Sequence, residues 1–103
     1  MVVYEVNLEF DVAIAAPYRE WLAAHVQELL ALPGFISAQV HDVVDPLPTA
    51  GRQGLCVRYI VSDLGALETY QREHAPRLRA DGLSRFGEEG VRYRRRILRD
   101  VTL

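Results

Sequence analysis

Three histidines, one cysteine and twelve basic residues, every one an arginine, are the side chains with the most chemistry to offer in this 103-residue chain. His74 is placed most suggestively. It follows Glu73, precedes Pro76 by two residues, and shares a helical face with Leu67 and Leu78. An imidazole ionises near neutrality, so a histidine held at a cleft could act as general acid or base. The same position would equally suit a hydrogen-bonded ring that stabilises a helix break. His41 is the second candidate proton shuttle. His25, on an apolar helix face, reads as structural.

Tyr70, Arg77, Arg79 and Arg85 cluster in the same stretch and are the candidate ligand contacts. Arginine presents a planar fork of donors that matches carboxylate and phosphate. Solvent exposure, or ion pairs with Glu73, Asp81 and Glu88, would account for these arginines without a ligand, and Arg79 could also reach back to the acidic start of the chain. Cys56 would be a nucleophile only with a stabilised thiolate, and its mid-strand setting suits a small packing residue instead. The scatter of 25, 41, 56 and 74 shows no metal-ligand spacing, so we expect no metal. No glycine-rich phosphate loop or other cofactor motif occurs, and no cofactor is expected.

These residues need elements to hold them. The organising stretch is Val2 to Ile14, whose apolar and polar residues alternate, the mark of a strand with one greasy and one charged face. Pro17 then suits the first turn of a helix, and residues 18–31 carry an apolar stripe ended by Leu32-Pro33-Gly34. A second strand is expected over Phe35–Val44. A loop over 45–54 with two prolines and two glycines follows, then a third strand over Leu55–Val61. Ser62 or Asp63 can cap a helix from Leu64. Pro76 removes a donor and predicts a kink or fresh start, with helix to about Phe86. Gly87 and Gly90 bracket a turn before a last strand, Val91–Val101.

The order strand, helix, strand, strand, helix, strand predicts an α+β, ferredoxin-like βαββαβ domain over residues 1–103. It has a four-stranded antiparallel sheet, both helices on one face, and the first and third strands central. The other face would carry Glu5, Asn7, Glu9 and Asp11 beside Cys56, Arg58, Arg92, Arg94 and Arg96.

Charge sharpens this. Residues 1–50 hold seven acids and one base, and residues 51–103 seven acids and eleven bases. The run Arg92-Tyr93-Arg94-Arg95-Arg96 looks like a nucleic-acid patch. In a strand, however, it splits between faces, and neighbouring acids cancel its field, which argues against nucleic-acid binding. No apolar run is long enough for a bilayer span and no secretory segment opens the chain. With a lone cysteine, the expectation is a protein of a reducing cytoplasm.

The segment YQREHAPRLRADGLSRFG, Tyr70 to Gly87, resembles the signature of the bacterial domain of unknown function 4286 family. The opening YEVNLEFDV, the helix REWLAAHVQELLALPGF and the third strand extend the resemblance over nearly the whole chain. It implies a ferredoxin-like domain that forms a homodimer with its sheets face to face, and no established activity, substrate or cofactor. The LPGF at 32–35 also resembles the helix-to-strand junction of dimeric α+β barrels, which include small cofactor-free monooxygenases. The expected function is therefore a homodimeric domain without a demonstrable catalytic site. One alternative is a cofactor-independent small-molecule enzyme, monooxygenase- or isomerase-like, with a histidine acid/base. Another is an interaction module whose basic strand docks an acidic partner.

Overall fold

The computed structural model describes residues 1–103. Four strands, β1 (Val2–Asp11), β2 (Phe35–Asp42), β3 (Arg52–Val61) and β4 (Val91–Arg99), form one antiparallel sheet in the order β2-β3-β1-β4. Helices α1 (Ala15–Leu30), α2 (Leu64–Glu73) and α3 (Ala75–Gly90) cover one face. The expected ferredoxin-like fold is the observed one, with β1 and β3 central.

Alternation in β1 sets the layers. Val2, Tyr4, Leu8 and Phe10 are buried against the helices, with Leu55, Val57, Tyr59 and Val61 of β3 beside them. From α1 come Tyr18, Leu22, Val26 and Leu29, and from α2 and α3 Leu67, Tyr70, Ala75 and Leu78. Spacings of three and four put each set on one helical stripe.

Strand and helix limits shift for local reasons. β1 stops at Asp11, three residues earlier than the alternation suggests. The Asp11 carboxylate accepts from the Ala13 amide at 3.3 Å and caps a 3₁₀ turn over Val12–Ile14. α1 consequently starts at Ala15, ahead of Pro17. β3 begins at Arg52, inside the stretch expected as loop, because Glu9, Phe10 and Asp11 pair with Gly54, Gln53 and Arg52. β2 ends at Asp42 and β4 at Arg99, each two residues short.

The expected helix break occurs two residues before Pro76. His74 lies outside helical geometry and is the last cap of α2 and the first of α3, which leaves Pro76 in the opening turn of α3, where its missing N–H costs nothing. α3 is interrupted at Gly87, with φ +74°, so the regular helix ends at Phe86 as the sequence suggests. At this corner Arg52 donates through Nη2 to the carbonyls of Glu9 (3.1 Å), Glu89 (3.3 Å) and Gly90 (3.3 Å). It thereby ties β1 and β3 to the exit of α3.

The second face of the sheet has no helix over it. In register across it stand Gln39, Arg58, Glu5 and Arg96, then His41, Cys56, Asn7 and Arg94. Glu5 is only 7% exposed there. It accepts from Arg96 at 2.7 Å and from Asn7 at 3.1 Å, with Arg58 at 3.9 Å. These partners hold its carboxyl below the usual carboxylate range, Arg96 contributing most.

Two glycines with positive φ make a discriminating test. Gly34 has φ +85°, and a Cβ there would lie 2.4 Å from the Ala66 Cβ, whereas Gly51, at φ +82°, faces open space. Gly51→Ala should cost only the backbone strain of about 1 kcal/mol. Gly34→Ala must also push β2 and α2 apart and should cost markedly more. Urea unfolding of the two variants measures the difference, and equal losses would contradict this packing.

Candidate functional site

The helices do not fill all the space above the sheet. Between β1, β3 and β4 on one side and α1 and α3 on the other lies a cavity of about 560 Å³, within the range of small-molecule sites. Its walls are mostly apolar. Tyr4, Leu8, Val57 and Tyr59 form the floor, Tyr18, Trp21, Leu22 and His25 of α1 one side, and Leu78, Arg79, Gly82 and Leu83 of α3 the other.

The aromatic side chains brace one another. Tyr4 and Tyr59 stack with centroids 5.8 Å apart, and Tyr70 is tilted against Tyr4 at 5.8 Å. Tyr18 lies between Phe10 (4.7 Å) and Trp21 (5.8 Å). Trp21 stacks on the His25 ring at 4.7 Å and 16°. A hydrogen bond of 2.9 Å from Trp21 Nε1 to Asp81 Oδ2 fixes the indole, and Arg85 Nε holds the same carboxylate at 3.1 Å. Gly82 makes room for this, since a Cβ there would stand 3.1 Å from the indole edge.

Burial sets the protonation of the chamber's phenols and of its imidazole. Burial raises the pKa of Tyr4, Tyr18, Tyr59 and Tyr70, the Arg79 guanidinium partly offsetting the effect at Tyr4 and Tyr70. All four remain neutral hydroxyls. Burial also lowers the pKa of His25 against the opposing pull of Glu28 and Asp81, so the ring is neutral at pH 7. Its Nδ1 is buried and unpartnered, as is Nη2 of Arg79. A buried donor without an acceptor costs about 1–3 kcal/mol, and such groups mark positions where a ligand atom would be welcome.

Of the residues singled out from the sequence, the structure brings two together here, Tyr70 and Arg79. Arg79 faces the tyrosines on the helix side of the sheet and is not directed at the acids of the opposite face. His74 sits at the α2–α3 junction outside the cavity, with Arg77 Nη2 3.4 Å from its Nδ1. His41 is exposed on the open sheet face, opposite Cys56. Arg77 pairs with Glu28 at 3.8 Å, joining α3 to α1, and Arg85 pairs with Asp81. Cys56 is half-buried, and burial with the nearby Glu5 charge pushes its thiol pKa up. No cluster of three or more His, Cys, Asp or Glu residues is placed to hold a metal, and no helix is long and apolar enough to cross a membrane.

Sequence reasoning passed over Trp21, the cavity-lining role of His25, and Arg95. A signal existed for Arg95, which occupies an apolar phase of β4 and pairs with Val6.

Residues 1–101 match the family model described as Domain of unknown function (DUF4286). The chain belongs to this family. Among curated proteins none matches it. Several solved structures share the fold of this family member. A candidate antibiotic biosynthesis monooxygenase of Deinococcus radiodurans is similar with a TM-score of 0.76 and 17% identity over 100% of this chain and 95% of that one. HapK of Hahella chejuensis gives 0.70 and 16% over 98% and 93%. A variant of SnoaB, a cofactor-independent oxygenase of Streptomyces nogalater, gives 0.66 and 13% over 99% and 95%. At these identities the likeness is one of fold.

The depressed His25 pKa makes a pH prediction. The unfolded ring takes up a proton near pH 6.5 and the folded one only at lower pH. Between those values the unfolded state therefore binds more protons, and stability falls as pH falls. Stability from this source is complete above about pH 6.5. Urea unfolding at pH 7.5 and pH 5.5 should show the loss, and His25→Gln should flatten the profile over that interval. An unchanged slope in the variant would show that His25 is not the group responsible.

Proposed function

We propose that this domain binds a small, largely apolar and planar molecule in the chamber between the sheet and α1 and α3, and that it does so as a homodimer. The observation that carries this reading is the chamber itself. A 103-residue domain can ill spare buried surface, yet this one leaves a cavity of ligand size lined by five tyrosines and a tryptophan, all but Tyr93 packed ring to ring. Those rings brace each other around the opening and do not collapse into it. Aromatic walls favour a flat apolar guest.

The dimer is supported by the open sheet face. Val3, Ile60 and Leu98 are half-buried at one end of it, and the paired charges around Glu5 occupy its centre. A second copy would cover these apolar positions and retain the ion pairs. Sedimentation at micromolar concentration should give twice the chain mass, and a monomer there would remove the dimer from the proposal.

His25 favours a second reading, catalysis without a cofactor. A neutral imidazole with an unpartnered ring nitrogen, in a mostly apolar chamber, is the state of a base that could accept a proton from an acidic phenol or activated C–H group of the guest. The likeness to a cofactor-independent oxygenase fits this reading. His74 and His41, both outside the chamber, would serve the same chemistry only with a ligand elsewhere.

Ligand uptake can be read directly. Trp21 is the sole tryptophan and lines the chamber. The uncharged probe N-phenyl-1-naphthylamine should bind with energy transfer from Trp21, and Trp21→Phe should abolish the transfer while leaving the probe's own emission enhancement. Binding without transfer in the unmodified protein, or no binding at all, would overturn the assignment of this chamber as the site.

A further inference from the structure

The chamber has a charged antechamber, and its charge is of one sign. Beside the main cavity, on the β4 side, lies a more open space of about 530 Å³ lined by Tyr4, Gln71, Arg79, Tyr93, Arg95 and Ile97. Tyr4, Arg79, Tyr93 and Arg95 line both spaces. The two arginines come from different elements, α3 and β4.

Most arginines of the chain are spoken for. Arg19, Arg52, Arg58, Arg72, Arg77, Arg85 and Arg96 each have an acidic partner. Arg79 and Arg95 form no ion pair, and Arg79 also leaves Nη2 buried without an acceptor. Fourteen acids are available in the chain, yet none lines the antechamber, and Glu88 is the one acid lining the main cavity. Arg95 interrupts an apolar phase of β4 between Tyr93 and Ile97, with its guanidinium over the Tyr93 ring at 5.5 Å. That contact keeps the charge at the mouth of the chamber. Two unpaired guanidiniums beside phenolic hydroxyls and a carboxamide form a recognition set for an oxyanion.

We propose that the molecule taken up by the chamber is an amphiphilic anion. Its carboxylate, sulfonate or phosphate is seated between Arg79 and Arg95, and its apolar body runs inward towards Trp21. This rests on the chamber being the ligand site, and it adds the chemical class of the ligand. Both halves are needed. The antechamber is the more open and polar of the two spaces, and the inner chamber supplies a mostly apolar enclosure.

Two probes of similar shape separate the claims. N-phenyl-1-naphthylamine is uncharged, and 1-anilinonaphthalene-8-sulfonate is the same ring system with a sulfonate. The unmodified protein should bind the sulfonate about tenfold more tightly, the scale of one charge-assisted hydrogen-bonded contact. Arg79→Gln and Arg95→Gln should each remove most of that advantage, lowering the sulfonate's affinity far more than the neutral probe's. Arg72→Gln, at an exposed helical arginine, should alter neither. Unchanged circular dichroism and thermal midpoint show that the variants are folded. If both probes bind with energy transfer from Trp21 but equally well, or if the two variants weaken both probes alike, the anion seat is wrong and the chamber stands. If neither probe enters, the chamber reading fails and this proposal fails with it.

Discussion

β1 is hydrogen-bonded along both edges, to β3 and to β4, and that constraint governs the rest of the molecule. A strand fixed on both sides cannot slip by one residue without turning every side chain to the wrong face. The two faces of β1 differ sharply in what they tolerate. Tyr4, Leu8 and Phe10 look towards the helices, and Glu5, Asn7 and Glu9 look away. The register is therefore specified twice, once by burial of the rings and once by pairing of Glu5 with Arg58 and Arg96. Each device excludes the register that would violate the other.

The same constraint explains why an arginine-rich β4 does not make a uniformly basic surface. Alternation sends Arg92, Arg94 and Arg96 to the face where β1 offers Glu9, Asn7 and Glu5, and sends Arg95 to the helix side. On the open face, opposite charges stand directly across the ladder, where such pairs are mutually favourable. On the helix side Arg95 has no ion-pair partner. One short basic run thus has two electrostatic fates, decided by the parity of residue number.

Much of this was legible in the sequence because it depends on periodicity. The alternation of Val2 to Phe10 gave the central strand, the order of elements gave the topology, and Pro76 located the helix break to within two residues. What escaped notice depends on relations between elements. Asp11 turns its carboxylate onto Ala13 and ends β1 early, a choice that alternation cannot register. The lining of the chamber escaped for a different reason. Trp21, His25 and Leu22 look like ordinary core on a helical wheel, and only the stand-off between α1 and α3 shows that they line a space. His74 drew attention through its neighbours in sequence, Glu73 and Pro76, whereas the cavity wall is assembled in space and the histidine on it is His25. Arg79 and Tyr70 were found, but as members of a stretch and not as parts of a wall.

A cavity in so small a domain has to be held open, since dispersion and the hydrophobic effect both favour closing it. Three features resist closure. Trp21 is pinned by Asp81, which Arg85 in turn holds, so the indole cannot swing inward to fill the gap. Arg77 and Glu28 join α1 to α3 from the outside. Arg52 fastens the Glu89–Gly90 corner to β1, which fixes where α3 leaves the sheet. None of these contacts lies at the centre of the core, and together they fix the helices at a distance that apolar packing alone would shorten. The unpartnered His25 and Arg79 nitrogens sit inside that frame. Their desolvation is a cost that the frame carries, and it falls on polar groups of the cavity wall.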